Sequence, residues 1–280
     1  MGNNKSALDK KSEKSFSQNE EYPCVNEESS YALPIDKFGV NYSAPILKYL
    51  QNGCKVLDIG CGAGIWMYEL AIEFPSSIFV GVDLMPIYLS EIKQTNAEFV
   101  KSNILKGLPF KDNEFDYVHS KKMSTAFKEE EWINKVIPEL IRVTKPQGWV
   151  EFYDVDVRLI DAGPNSTRLV EGIAQSMSNL GLNASSITFI KKWLQSYPDG
   201  ITNINELTKL IPIGVWKSAI GKLNMMGYID YVKLQKSWIA DGMNISEDEF
   251  SKLVELTNAE FSSPEYKGKL PVMRVFGQKV

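Results

Sequence analysis

The chain contains 280 residues, of which 44% are hydrophobic and 24% charged, and its formal net charge is -4. A chain of this length can bury a full core, and without a basic stripe it is a poor candidate for nucleic-acid binding. One histidine and the unspaced cysteines Cys24, Cys54 and Cys61 predict no metal site and reduced intracellular thiols. No apolar run approaches the length of a membrane span, so we expect a cytoplasmic protein.

Residues 1–30 are poor in apolar groups and rich in Ser, Asn, Glu and Lys, which predicts a disordered polar tail. The chain begins with the N-myristoylation pattern M-G-x-x-x-[ST], whose acceptor is Gly2, and Lys10, Lys11 and Lys14 follow closely. A lipid chain together with nearby lysines would give peripheral membrane contact. A coincidental match to this short pattern stays an open alternative.

Residues 31–50 lead into the first strand, and Pro34, Gly39 and Pro45 interrupt any long helix there. Two interpretations of the aromatic residues in this segment stay open. Tyr31 and Tyr42 either cover a ligand bound nearby or pin the segment to the core.

A buried strand, Lys55–Ile59, runs into glycines at alternate positions, Gly60, Gly62 and Gly64. Apolar residues at helical spacing follow over residues 65–74, so the glycine loop joins a strand to the start of a helix. The first backbone N–H groups of a helix lack internal partners and attract anionic ligand groups. We therefore expect a ligand at this loop, with an unliganded tight turn as the alternative.

Two common phosphate-binding fingerprints are missing. The dinucleotide pattern G-x-G-x-x-G needs a third glycine at Ile65 or Met67. The pattern G-x-x-x-x-G-K-[ST] is absent because Gly221-Lys222 and Gly268-Lys269 are each followed by leucine. What remains is D-x-G-x-G-x-G, beginning at Asp58.

A second strand, Ser77 to Asp83, ends in an acid about 20 residues past the loop, where nucleoside-binding units hold two ribose hydroxyls. Leu84 and Met85 are suited to one face of an adenine ring, and Pro86 fits the first turn of a helix over residues 86–93.

Further strands are predicted at Glu98–Ile104, Phe115–Val118 and Trp149–Tyr153. The fourth strand delivers His119, Ser120 and Lys121 to the cleft at its end. A packing helix that Pro138 bends is predicted over residues 128–144.

The glycine pattern and these downstream landmarks, from about Lys55 to Asp156, resemble the class I S-adenosylmethionine-dependent methyltransferases. The segments PELIRVTKPQGWVEF and WINKVIPEL resemble fungal members related to regulators of secondary metabolism, although Gln147 stands where relatives usually have a glycine pair. The resemblance implies that S-adenosylmethionine is the cofactor and that Asn103 meets its adenine amine. The cofactor-binding residues that it implies are Asp58, Gly60, Cys61, Gly62, Ala63, Gly64, Asp83, Leu84, Met85, Asn103, Ile104 and Ser120.

The fold that the resemblance implies is α/β, a three-layer Rossmann-like sandwich. Its seven-stranded, mostly parallel sheet would have the order 3-2-1-4-5-7-6, with the last strand antiparallel. The methyltransferase domain would span residues 31–280, with a helical cap inserted after strand 5 at about 157–200. The remaining predicted elements are helices at 167–180 and 185–195, a strand at 205–213, loosened helical spacing at 217–238, a capped helix at 246–261 and a strand at 271–277.

The reaction implied is displacement of a methyl group from the cofactor onto a small-molecule or protein acceptor. His119 is a candidate base, and holding the loop through hydrogen bonds is its alternative role. Asp154 and Asp156 follow the fifth strand, where Asp154 can orient or deprotonate an acceptor or simply be solvated. A regulatory or scaffold protein that binds the cofactor without methyl transfer is the alternative function, and the missing third glycine disfavours a nicotinamide-dependent reductase.

Overall fold

The computed structural model describes residues 41–85 and 94–280. The predicted polar tail, the lipidation pattern at Gly2, Tyr31 and the predicted helix at 86–93 lie outside the described residues. Within the described part of the chain, no helix has the length and apolar character needed to cross a membrane.

The described residues form one seven-stranded sheet with the order β3-β2-β1-β4-β5-β7-β6, which confirms the predicted topology. Its parallel pairs include β1 with β2 and β4, whereas β7 runs antiparallel to both β5 and β6, as predicted. The winding therefore reverses at β1 and β4, where open α/β sheets bind their ligands. The strands are β1 (Lys55–Ile59), β2 (Ile78–Asp83), β3 (Ala97–Lys101), β4 (Phe115–Lys121), β5 (Thr144–Val155), β6 (Ile201–Pro212) and β7 (Lys269–Lys279).

Helices pack on both faces of the sheet. The described helices are α1 (Leu47–Asn52), α2 (Ile65–Glu73), α3 (Glu129–Glu131), α4 (Ile137–Val143), α5 (Pro164–Asn179), α6 (Ile187–Gln195), α7 (Ser218–Leu234), α8 (Lys236–Met243) and α9 (Glu247–Phe261). One face is buried by α1 and α2, and the opposite face by α4 and α6. The two helical layers and the sheet between them make the predicted three-layer architecture.

A second core lies beyond the end of the sheet, where α5 and α7 to α9 pack around the adjoining ends of β6 and β7. The helices predicted as a cap therefore separate in space. α5 belongs to this second core, whereas α6 packs on the sheet, with Trp193 stacked on Trp132 at a centroid distance of 6.2 Å.

Several elements differ locally from their predicted form; β5, for example, begins at Thr144, five residues before its predicted start. β3 ends at Lys101, because the Asn103 side chain accepts a hydrogen bond from the Leu105 N–H and starts a 3-10 turn. The predicted helix at 128–144 contains a π-helical segment at Trp132–Val136, directly before the Pro138 turn, since proline has no N–H to continue the α pattern. β4 extends to Lys121, three residues past its predicted end.

Candidate functional site

The glycine loop at the end of β1 takes the conformation that only glycine adopts easily. Gly60, Gly62 and Gly64 have φ angles of 67°, 53° and 78°. The Gly60 N–H donates to the Val82 carbonyl at 2.8 Å, and Gly64 is the N-cap of α2. The loop therefore passes from β1 to the N-terminus of α2 beside the end of β2, as the sequence predicted.

Asp83 lies at the end of β2 and is bonded to the glycine loop. Its Oδ2 accepts from the Gly62 N–H at 2.9 Å, and its Oδ1 accepts from the Met85 N–H at 2.9 Å. The side chains of Leu84 and Met85 are 42% and 41% exposed beside it. The structure thus brings together the predicted ribose-binding acid, the glycine loop and two exposed apolar side chains.

Asn103 and Ile104 follow β3, next to the Asp83 end of the sheet. The Ser102 N–H donates to the Asp83 carbonyl at 3.0 Å, and Asn103 Oδ1 accepts from the Leu105 N–H at 2.9 Å. The Ile104 side chain is buried in the core, so only its backbone can face a ligand. The predicted contact of Asn103 with an adenine amine remains a prediction, and Asn103 Oδ1, which has a second lone pair besides the one that the Leu105 N–H uses, is the atom that would accept from that amine.

Cys61 and Ala63 occupy the turn between the glycines. A Cβ on Gly81 would lie 2.9 Å from the Cys61 sulfur, so this thiol packs over the middle of β2. Burial, with the nearby Asp58 and Asp83 charges, raises the pKa of the Cys61 thiol. Ala63 is buried. The Cys61 side chain therefore packs against β2, and the backbone of the loop is the part that can contact a ligand.

Asp58 and His119 form a buried pair directly beneath the glycine loop. The distance from His119 Nδ1 to Asp58 Oδ1 is 3.0 Å, and the two side chains are 1% and 3% exposed. Burial raises the pKa of Asp58 to about 8, with the Lys121 charge opposing and the Asp83 charge adding to the shift. The indole of Trp66 stacks on the His119 ring at a centroid distance of 3.7 Å and an interplanar angle of 11°.

This geometry removes His119 from the acceptor side of the cleft. A ring that is sealed between Trp66 and Asp58 has no surface for a substrate, so the structure supports the alternative role of holding the loop. Ser120 follows His119 in β4, and because side chains alternate along a strand it lies on the opposite face of the sheet, also buried.

The ends of β4 and β5 carry two further titratable groups. Asp154 Oδ2 accepts from the Ser124 N–H at 2.8 Å and its Oδ1 from the Val155 N–H at 2.7 Å, and burial raises the pKa of this carboxyl. Lys122 has a φ of 59°, unusual for a lysine, and its N–H donates to the Tyr153 carbonyl at 2.8 Å. Burial and the Lys121 charge lower the pKa of Lys122 to about 8, against the opposing effect of Asp154.

Sequence reasoning missed Lys122, because a lysine directly after a strand carries no signal of burial. Asp156 lies outside this group, since it forms an ion pair with Arg158 and accepts from the Ser185 hydroxyl at 2.8 Å.

The sheet order, the glycine loop and Asp83 define the fold of class I S-adenosylmethionine-dependent methyltransferases. Residues 56–148 match the family described as methyltransferase domain. The chain therefore contains a methyltransferase domain and has the fold of the class I S-adenosylmethionine-dependent methyltransferases, to which it is similar.

Two curated fungal relatives are similar to large parts of the chain. The secondary metabolism regulator laeA of Coprinopsis cinerea is 27% identical over 198 residues, which cover 64% of this chain and 48% of that protein. The N-methyltransferase gliN of Aspergillus fumigatus is 24% identical over 230 residues, covering 78% of this chain and 80% of that protein. The chain thus spans about half the length of laeA. It also covers 51% of a third relative, the methyltransferase pytC of Aspergillus terreus.

Solved structures share the fold at low sequence identity. Phosphoethanolamine N-methyltransferase 2 of Haemonchus contortus, in complex with phosphomonomethylethanolamine and S-adenosylhomocysteine, has a TM-score of 0.53 and 18% identity, over 84% of this chain and 51% of that one. The [4+2]-cyclase SpnF has a TM-score of 0.50 and 17% identity, over 82% of this chain and 76% of that one. A cyclase on the same fold means that the fold alone does not establish methyl transfer.

Proposed function

We propose that the chain binds S-adenosylmethionine across the ends of β1 and β2 and transfers its methyl group to an acceptor held over the ends of β4 and β5. The observation that carries this proposal is the bond between Asp83 and Gly62, which fixes an acidic side chain beside a glycine loop. It rests further on the methyltransferase domain matched over residues 56–148.

The residues present fit this cofactor. Asp83 supplies carboxylate oxygens for two ribose hydroxyls, and the exposed side chains of Leu84 and Met85 offer an apolar surface for adenine. The turn from Gly60 to Gly64 gives close backbone approach at the N-terminus of α2 for the carboxylate of an amino acid. When bound, S-adenosylmethionine supplies a methyl group already activated by its sulfonium.

The chain itself must then align an acceptor, exclude water and, for an O–H or N–H acceptor, take up a proton. Asp154 and Lys122 are the titratable groups placed for this work at the ends of β4 and β5. The raised pKa of Asp154 brings it closer to working pH, as a proton acceptor requires. His119 takes no part in proton transfer in this proposal.

An amine is the first acceptor class to test, because gliN, of which the chain covers 80%, is named an N-methyltransferase. Thermal shift with S-adenosylmethionine, S-adenosylhomocysteine and NADH tests the cofactor assignment. Stabilisation by both adenosyl compounds and not by NADH supports it, and the reverse pattern refutes it.

Cofactor labelled in the methyl group then tests transfer, with small-molecule and protein fractions of a fungal extract as acceptors. A labelled product establishes a methyltransferase and identifies the fraction that holds the acceptor. Tight cofactor binding with no labelled product in any fraction points to the regulatory or scaffold function.

A further inference from the structure

Residues 41–46, which we name the strap, cross the sheet face that carries the buried Asp58–His119 pair. The Ser43 N–H lies 2.9 Å from both oxygens of the Glu151 carboxylate, and the Ala44 N–H donates to Glu151 Oε2 at 2.7 Å. At its start, the Asn41 carbonyl accepts from the Trp66 indole N–H at 2.9 Å. The strap is thus held by the Glu151 carboxylate of β5 and, at Asn41, by the Trp66 indole and the Glu69 carboxylate of α2, the latter through an Asn41 Nδ2 to Glu69 Oε2 distance of 3.3 Å.

Glu151 is a buried charge whose partners come from the strap and from β7. Its side chain has 0% exposure, and the Arg274 guanidinium lies 3.3 Å from its Oε1. The same Arg274 nitrogen is 3.2 Å from the Ser43 hydroxyl. Loss of the hydrogen-bond partners of a buried carboxylate strongly destabilises a fold. The docked strap supplies such partners to Glu151 through the Ser43 and Ala44 N–H groups.

The second anchor leads directly to the glycine loop. Trp66 is the second residue of α2, two positions after Gly64, and its ring stacks on His119. His119 in turn is hydrogen-bonded to Asp58, two positions before Gly60. Asp58, before the glycine loop, and Trp66, after it, therefore both contact His119. The strap accepts a hydrogen bond from Trp66.

Strand register places Glu151 in one row with the Asp58–His119 pair on which Trp66 stacks. Asp58, His119 and Glu151 stand opposite one another on the adjacent parallel strands β1, β4 and β5. Their side chains therefore point to the same face, which the strap and α2 cover. A shift of the strap would therefore break the hydrogen bond between Trp66 and Asn41 or displace the indole that stacks on His119.

From these contacts we infer that docking of the strap sets the affinity of the glycine loop for its adenosyl ligand, with Trp66, His119 and Glu151 as positioning residues. The inference rests on the proposed function, which assigns the loop to the cofactor. The two binding events are linked, so the coupling is reciprocal: the ligand must also hold the strap in place.

The reciprocal effect is tested on the wild-type chain by hydrogen–deuterium exchange, with S-adenosylhomocysteine as the probe. We expect saturating probe to slow exchange at the Ser43 and Ala44 amides, whose hydrogens bond Glu151. Calorimetry with the same probe tests the forward effect. Trp66→Phe keeps a ring to stack on His119 and removes only the donor to Asn41, so we expect affinity to fall about fivefold.

Trp149→Phe is the matched control, because Trp149 lies in the same core and packs against Phe276. We expect it to leave probe affinity unchanged. Glu151→Gln, with circular dichroism to verify folding, weakens the other anchor by removing its charge and one acceptor oxygen, and it should weaken binding in the same direction.

If the wild type binds the probe while strap exchange and the affinities of the folded variants stay unchanged, the coupling is refuted and the proposed function stands. If the wild type shows no binding, both the coupling and the proposed function fail. The wild-type exchange experiment decides the question even where a variant does not fold.

Discussion

Asp83 and Gly62 are joined by a 2.9 Å hydrogen bond from the Gly62 N–H to the Asp83 carboxylate. The residue proposed to hold the ribose therefore also fixes the middle of the glycine loop. A carboxylate suits both tasks, because its two oxygens accept about four hydrogen bonds, more than a neutral amide does. Cofactor recognition and loop conformation thus depend on one side chain.

Replacing Asp83 by Asn should weaken binding of S-adenosylhomocysteine about tenfold or more, since hydrogen bonds to charged groups contribute roughly 1.5–3 kcal/mol. Asn keeps the size of the side chain but loses the charge and acceptor sites. Titration calorimetry measures the change, with Asp230→Asn on the exposed side of α7 as control. Equal affinity in wild type and Asp83→Asn would contradict the proposed ribose contact.

Asp58 should make stability fall as pH rises. In the unfolded chain this carboxyl titrates near 3.8, whereas burial raises its pKa to about 8 in the folded protein. Between these values the unfolded state ionises while the folded state keeps its proton, so the free energy of unfolding decreases until the folded group ionises as well. Above about pH 8 the loss is complete.

Asp58→Asn removes this titration and keeps a hydrogen-bonding side chain beside His119. Relative to this variant, the wild type should lose up to about 4 kcal/mol of unfolding free energy between pH 5 and pH 8. Urea unfolding of both proteins at several pH values measures the difference. Parallel pH profiles would show that the Asp58 carboxyl is not perturbed in the folded state.

The cofactor half of the site could be predicted from the sequence because its determinants are local. The glycine spacing at Gly60, Gly62 and Gly64 predicts a strand-to-helix turn. Asp83 ends a run of apolar residues about 20 positions further along the chain. The sheet order then follows from the resemblance that these motifs carry, and the structure confirms it.

The role of His119 depends on a strand boundary, which local patterns define poorly. A β4 that ends at Val118 would deliver His119 to the cleft at the end of the strand; because β4 continues to Lys121, His119 lies instead opposite Asp58 inside the sheet. The bonds between Ser43 and Glu151 join residues 108 positions apart, and no spacing in the sequence signals such a contact.

Gly64→Ala should destabilise the fold by roughly 1–3 kcal/mol, the range for a residue forced into a strained backbone conformation. Gly64 has a φ of 78°, and an added Cβ would lie 2.5 Å from a ring carbon of Phe99. Gly181→Ala is the matched control: its φ is 75°, but the nearest atom, 3.3 Å away, belongs to the flexible Lys128 side chain. Thermal melts should show the larger loss for Gly64→Ala, and equal losses would mean that the contact with Phe99 contributes nothing.

Glu260 on α9 caps the N-terminus of α5 and so joins two helices of the second core. Its Oε1 accepts from the Ser166 N–H at 3.0 Å and from the Ser166 hydroxyl at 2.6 Å, and its Oε2 accepts from the Asn165 N–H at 2.9 Å. Burial acts to raise the pKa of Glu260, but these hydrogen bonds outweigh it and lower the pKa below its ordinary value. The charged form therefore stabilises the fold at neutral pH, and this contribution is lost as pH falls through the folded-state pKa.

Glu260→Gln should reduce the free energy of unfolding at pH 7 by about 1–2 kcal/mol, because a charged acceptor at a helix N-terminus is replaced by a neutral one. The difference from wild type should shrink in acid, where Glu260 is protonated in both folded and unfolded chains. Glu255→Gln, an exposed position on the same helix, is the control and should have almost no effect. Urea unfolding at pH 7 and in acid measures both variants. A loss that is the same at both pH values, or that Glu255→Gln reproduces, would show that the Glu260 charge does not hold α5 to α9.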